Sequence, residues 1–162
     1  MPLSGDRRQQ VEFNKDHVTL GRATFYEAIL AGTSRDPCRA SLDQAVSGLR
    51  RAGVQHHIPR GPLTRAWVRF LSGVPTGTES AQRDLDEAWE IAVRGPMKLF
   101  LADIHLHRAR LFGGQKSRLR GQKYPWDSPA TDLAAAEQLI HTCGYHRRDE
   151  ELADAKAAIL HP

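Results

Sequence analysis

The string Leu-x-Arg-Ala occurs three times, at residues 20–23, 63–66 and 106–109, and each copy begins 43 residues after the one before. Recurrence at a fixed spacing of roughly 20 to 50 residues marks stacked supersecondary units, none of which buries its apolar side without a neighbour. This period therefore restricts the fold more than any local motif does. A second frame runs in phase with it: Cys38, Leu42 and Ala45, then Ala81, Leu85 and Ala88, then Pro129, Leu133 and Ala136. Its first two copies are again 43 residues apart and the last two 48, so the third unit carries five extra residues in the turn at 115–127. Seven residues after each leucine stands another apolar residue, Leu49, Ala92 or Ile140, which extends the apolar side over two turns of helix.

The local grammar between these frames is helical. Val11, Val18, Phe25 and Leu30 recur near helical spacing and predict a first helix from about Gln9 to Ala31. Gly32 then supplies a C-terminal stop and Pro37 the start of a helix over 37–52. Helices are predicted over 62–71, from a cap at Thr78 or Ser80 to Gly95, over 96–112 with Leu99, Ala102, Leu106 and Ala109 on one face, over 128–142, and over 149–160. The expected fold is all-α: three antiparallel helix pairs in units of about 9–53, 54–95 and 96–144, with a closing helix at 148–160. Residues 9–162 form a single helical-repeat domain in this reading, and 1–8, polar and without periodicity, form a disordered N-terminus. Alanines at Ala23, Ala66 and Ala109, and at Ala45, Ala88 and Ala136, are expected where helix backbones approach closely, with leucines filling the layer between them.

A chain of 162 residues with 40% apolar residues can bury one core, and no apolar run approaches the roughly 20 residues of a membrane span. The first eight residues lack the apolar segment of a secretory signal, so a cytoplasmic location is expected. Cys38 and Cys143 then fit reduced thiols better than a disulfide. The formal charge of +4 comes from 23 basic and 19 acidic residues, mostly interspersed, and permits acidic partners without demanding them.

Two helices per unit, small residues at the contacts, and Asp86-Glu87-Ala88 in a second helix resemble tetratricopeptide repeats, in a form longer than the usual period of about 34 residues. The Trp-Leu-Gly-Tyr pattern of the standard first helix is missing, so no peptide-carboxylate clamp is carried over. The stretch Tyr124-Pro-Trp-Asp-Ser-Pro-Ala-Thr-Asp-Leu, followed by Gly144-Tyr-His-Arg-Arg-Asp-Glu-Glu-Leu, resembles the C-terminal end of bacterial tetratricopeptide arrays, and the likeness covers about residues 83–160. Such arrays stand in large signalling or effector proteins beside ATPase or protease-like modules. The resemblance implies a scaffold without an activity of its own.

The chemistry-bearing residues agree with that. Asp103 and His107 share a helix face while His105 diverges from it, and neither a third metal ligand nor the spacing of a zinc site accompanies them, so no metal is expected. Gly113-Gly114-Gln-Lys follows a helix instead of a strand and lacks the phosphate-loop ending, and no nucleophile elbow is present. No catalytic residue and no cofactor are assigned.

The repeated arginines Arg22, Arg65 and Arg108 have two possible uses. Stacked units would align them as a ladder toward acidic side chains of a partner, with Trp67 beside them. Alternatively they lie along the seam between units and pair with Asp43, Asp86 or Glu87. The expected function is a protein-interaction scaffold that binds a protein or peptide on its concave face. The alternative is a nucleic-acid-binding helical repeat that uses the basic insert, with Lys116, Arg118, Arg120, Lys123 and Trp126; Tyr124 and Trp126 could instead fold back over the last helix pair. A first helix without an upstream neighbour would leave an apolar side open to a second copy of the chain, giving a homodimer.

Overall fold

In a computed structural model of the chain, which describes residues 4–114, 117 and 121–160, the described residues form seven α-helices, two 3-10 turns and no strand. The helices are α1 (Ser4–Ala31), α2 (Asp36–Ala52), α3 (Arg60–Leu71), α4 (Ala81–Arg94), α5 (Lys98–Phe112), α6 (Pro129–Cys143) and α7 (Asp149–Leu160); the turns are Gln55–His57 and His146–Arg148. α1 starts at Ser4, so residues 4–8, expected to be disordered, are its first turns. The predicted punctuation falls where it was placed. Gly53 and Gly144 end α2 and α6 with φ of +67° and +63°, a left-handed conformation that side chains with a Cβ rarely adopt. Ser128 caps α6 by accepting from the Thr131 amide, and Ser80 accepts from the Arg83 amide at the start of α4.

The chain divides into two compact units, Met1–Ile91 and Ala92–Pro162, with the boundary inside α4 and not in a loop between the expected repeats. In the first unit α1 buries Val11, Asn14, Val18, Gly21, Phe25 and Ala28, at alternating spacings of three and four. Gly21 sits against Leu42 of α2, where a Cβ would come within 2.9 Å of its side chain, and Gly48 of α2 sits against Asn14. Later residues of α2 thus meet earlier residues of α1, so the pair is antiparallel. α3 returns along α2, with Gly61 against Val46 and the Arg35 guanidinium donating to the Leu71 carbonyl. The same helix lies along α1, Trp67 packing on Phe25 and Tyr26 near one end while the 55–57 turn lies beside Glu12 and Lys15 near the other. α1 and α3 therefore run side by side in the same direction.

In the second unit, Ala102, Leu106 and Ala109 of α5, Leu133, Ala136 and Ile140 of α6, Tyr145, and Leu152, Ala155 and Ile159 of α7 form one buried cluster. The end of α5 meets the start of α6, where Gly113 abuts Pro129. The start of α5 meets the chain beyond α6, where Tyr145 donates to Asp103, so this pair is antiparallel as well.

The second-helix frame holds in every unit: Leu42, Leu85 and Leu133 are fully buried, and so are Ala45, Ala88 and Ala136. The first-helix frame holds only twice. Leu63 and Leu106 are 6% and 1% exposed, and Ala66 and Ala109 are fully buried, whereas Leu20 is 60% exposed and Arg22 and Ala23 also face solvent. The close-approach position on α1 is Gly21, flanked by Val18 and Phe25; this trio matches Leu63, Ala66 and Phe70 at a spacing of 45. Leu30 and Leu99, expected on buried faces, are exposed, since the buried stripe of α1 passes through Phe25 and Ala28 and that of α5 starts at Ala102.

Candidate functional site

The buried polar groups of the first unit gather around Asp84, whose side chain is almost wholly enclosed. The Arg65 Nε donates to both carboxylate oxygens at 3.1 Å and its Nη2 to Oδ1 at 2.7 Å, while Arg69 Nη1 reaches both at 3.1 Å. Arg65 Nη1 also donates to Asp43 of α2 at 3.1 Å, and Arg50 of α2 makes a two-pronged bond to Glu87 of α4. Three guanidiniums thus meet three carboxylates along the seam of α2, α3 and α4, a balanced set in which each charge has a partner. Burial pushes the Asp84 carboxyl up from its ordinary value against the pull of Arg65 and Arg69. Arg65 is raised: its enclosure opposes the charge, and the bonds to Asp84 and Asp43 outweigh that.

In the second unit Arg108 is buried as Arg65 is, and its guanidinium lies over the Trp126 ring at 4.5 Å. Trp126 also meets Phe112 edge-on at 5.2 Å and Tyr124 at 5.4 Å. The Tyr124 hydroxyl donates to the enclosed Asp132, which also faces His105 Nδ1 at 2.5 Å. Burial and that carboxylate raise the Tyr124 pKa. The aromatics of the insert therefore fold back onto α5 and α6. Asp103 accepts from Arg148 Nε at 2.9 Å and from Tyr145, and His107 Nδ1 faces the Asp103 carbonyl at 2.8 Å, so Asp103 and His107 do not converge on a shared point as a ligand pair would. Among the described residues no three His, Cys, Asp or Glu side chains are grouped to hold a metal ion, and both cysteines are free.

The three repeated arginines do not form one ladder: Arg22 is exposed on α1, Arg65 is bound into the seam, and Arg108 is stacked on the insert. Of the seam partners expected for Arg65, Asp43 is bonded and Glu87 lies at 3.9 Å, while the principal partner is Asp84, which went unpredicted. Its signal was present. Asp84-Leu85 and Asp132-Leu133 occupy the same place in the second-helix frame, so an acid beside the frame leucine recurs in two of the three units, with Ser41 in the first. Trp67 is half-buried against Phe25 and Tyr26, at ring-centroid distances of 5.0 Å and 4.6 Å. Lys123 is exposed; Lys116, Arg118 and Arg120 lie outside the described residues.

One exposed surface of the first unit is the side shared by α1 and α3. It carries Lys15, Arg22 and Tyr26 from α1, His56 and His57 from the turn, and Arg60 and Trp67 from α3. Burial lowers the His57 pKa, as do the charges of His56, Lys15 and Arg60, with Glu12 opposing. The outer face of α1 carries Phe13, Leu20 and Leu30, all exposed. No helix among the described residues is long and apolar enough to cross a membrane. Set against protein-family models, curated proteins and solved structures, the chain matches none.

Proposed function

We propose that this chain is a tetratricopeptide-like scaffold of stacked helix pairs, without catalysis of its own, and that it binds a partner protein or peptide on the face made by the first helices of successive pairs. The observation that carries the reading is the arrangement of α1, α2 and α3. Two first helices lie side by side in the same direction, and both run antiparallel to the helix between them. α5 touches both α6 and α7 in the corresponding way, as expected when a first helix packs on its partner and on the start of the next pair. Stacking of this kind leaves α1 and α3 side by side on one surface of the first unit, suited to an extended ligand.

Photo-crosslinking tests it. A benzoylphenylalanine at Tyr26 of the full chain, expressed in its native cell, is expected to capture a partner polypeptide. The same group at the exposed Glu150 of α7 is expected not to. Equal capture at both positions, or at neither, removes the proposal.

A further inference from the structure

We infer that the α1–α3 face of the first unit docks an acidic segment of a partner protein. The inference rests on the scaffold reading above and adds the partner's chemistry. Arg8, Lys15 and Arg22 recur at intervals of seven, which places them along one side of α1. Arg8 and Arg22 are exposed and Lys15 is half-buried. Near Lys15, the middle of the row, stand His56, His57 and Arg60, and the charges acting on His57 come from His56, Lys15, Glu12 and Arg60, so these groups share one neighbourhood. At the Arg22 end lie Tyr26, exposed, and Trp67, half-buried and in contact with it.

The charge balance of this face decides the partner's sign. Four permanent cations, Arg8, Lys15, Arg22 and Arg60, stand here with one carboxylate, Glu12, 3.0 Å from Lys15, while the exposed Asp16 and Glu27 of α1 fall further round the helix, beyond Glu12. Along the seam, by contrast, the charges cancel: Arg50, Arg65 and Arg69 are paired with Asp43, Asp84 and Glu87. The face therefore carries the positive charge that the seam does not compensate, next to an aromatic pair able to take an apolar side chain. Carboxylates in an extended segment suit exposed guanidiniums spaced along a helix. A single-stranded nucleic acid suits the face less well. Trp67 is packed against Phe25 and Tyr26 and is not held out as a platform on which bases could stack.

The test is fluorescence anisotropy with the full chain and a fluorescein-labelled 14-residue peptide of Glu and Asp with two Phe, at low salt. Binding is expected, and Arg22→Glu with Arg60→Glu should weaken it about tenfold or more while leaving the melting temperature unchanged, since both side chains are exposed. Binding should tighten as the pH falls from 7 to about 5.5, because an arriving carboxylate favours the charged form of His57, which burial and the neighbouring cations disfavour in the free protein, and this gain should disappear in His57→Gln. Absence of binding, indifference to the charge reversal, or displacement of the peptide by an equal concentration of a 20-nucleotide single-stranded RNA overturns the inference. The crosslink at Tyr26 separates its failure from that of the scaffold reading. A captured segment without acidic residues overturns the acidic partner and leaves the scaffold in place, while no capture at all overturns both.

Discussion

Asp84 and Asp132 hold the same place in the repeat, each immediately before the buried leucine of a second helix, and each is itself almost fully enclosed. Their surroundings differ. Asp84 is gripped by the guanidiniums of Arg65 and Arg69 from α3, whereas Asp132 is held by the imidazole of His105 and the hydroxyl of Tyr124. The arginines of the repeated string differ in parallel: Arg65 lies in the ion cluster and Arg108 lies over Trp126. Residue identity underlies part of the contrast: the place of Arg69 is taken by Phe112 in the third unit, against which Trp126 of the insert packs, and His105 of α5 reaches Asp132. A buried acid and a buried arginine are thus shared by the second and third units, whereas the first has Ser41 before its leucine and an exposed Arg22.

The largest expected effect strikes the ionic version. Asp84→Ala would leave Arg65 and Arg69 enclosed without their main partner and should cost the first unit about 3–5 kcal/mol, measured by urea denaturation with hydrogen exchange to resolve the two units. A loss below about 1 kcal/mol would mean that the cluster contributes little. Leu63→Ala should cost about 2–5 kcal/mol in the same assay, as a buried leucine of the second copy of the string. Trp126→Ala tests the aromatic version. Loss of the ring over Arg108 should destabilise the second unit by about 1–2 kcal/mol and leave exchange in α1–α3 unchanged; protection lost first in α1 would contradict the division of labour.

A smaller effect concerns pH. Burial lowers the His107 pKa below its ordinary 6.5, so between the folded and unfolded values the unfolded chain binds more protons. Its contribution is complete above 6.5 and is lost as the pH falls through that value toward the folded one. His107→Gln should flatten the fall in stability between pH 7 and 5, and an unchanged slope would assign the acid sensitivity to other groups. The smallest effect is expected at the first copy: Leu20→Ala should change stability by less than about 0.5 kcal/mol, because that leucine points to solvent.

The contrast between Leu20 and Leu63 marks how far the string could be trusted. Periodicity located the seven helices of the described residues, since burial on one face imposes helical spacing on Leu42, Leu85 and Leu133 wherever the neighbouring helix lies. It could not fix the rotation of α1. A four-residue match carries too little phase to outweigh the glycine at Gly21, which the structure uses because Leu42 leaves no room there for a Cβ. The acid of the seam was written beside the frame leucine, yet its role was hidden because Arg65 and Asp84 meet only when α3 and α4 pack.

Helix content, the helix ends marked by Gly53, Ser80, Ser128 and Gly144, and the second-helix core were therefore determined by the sequence alone, because each depends on spacing and end chemistry within about twenty residues. Tertiary structure decided which arginine is buried, which acid receives it, and that the insert's aromatics cover the third pair. Those outcomes depend on groups from separate helices sharing one desolvated space, where an uncompensated charge is costly and only packing can name the partner that offsets it.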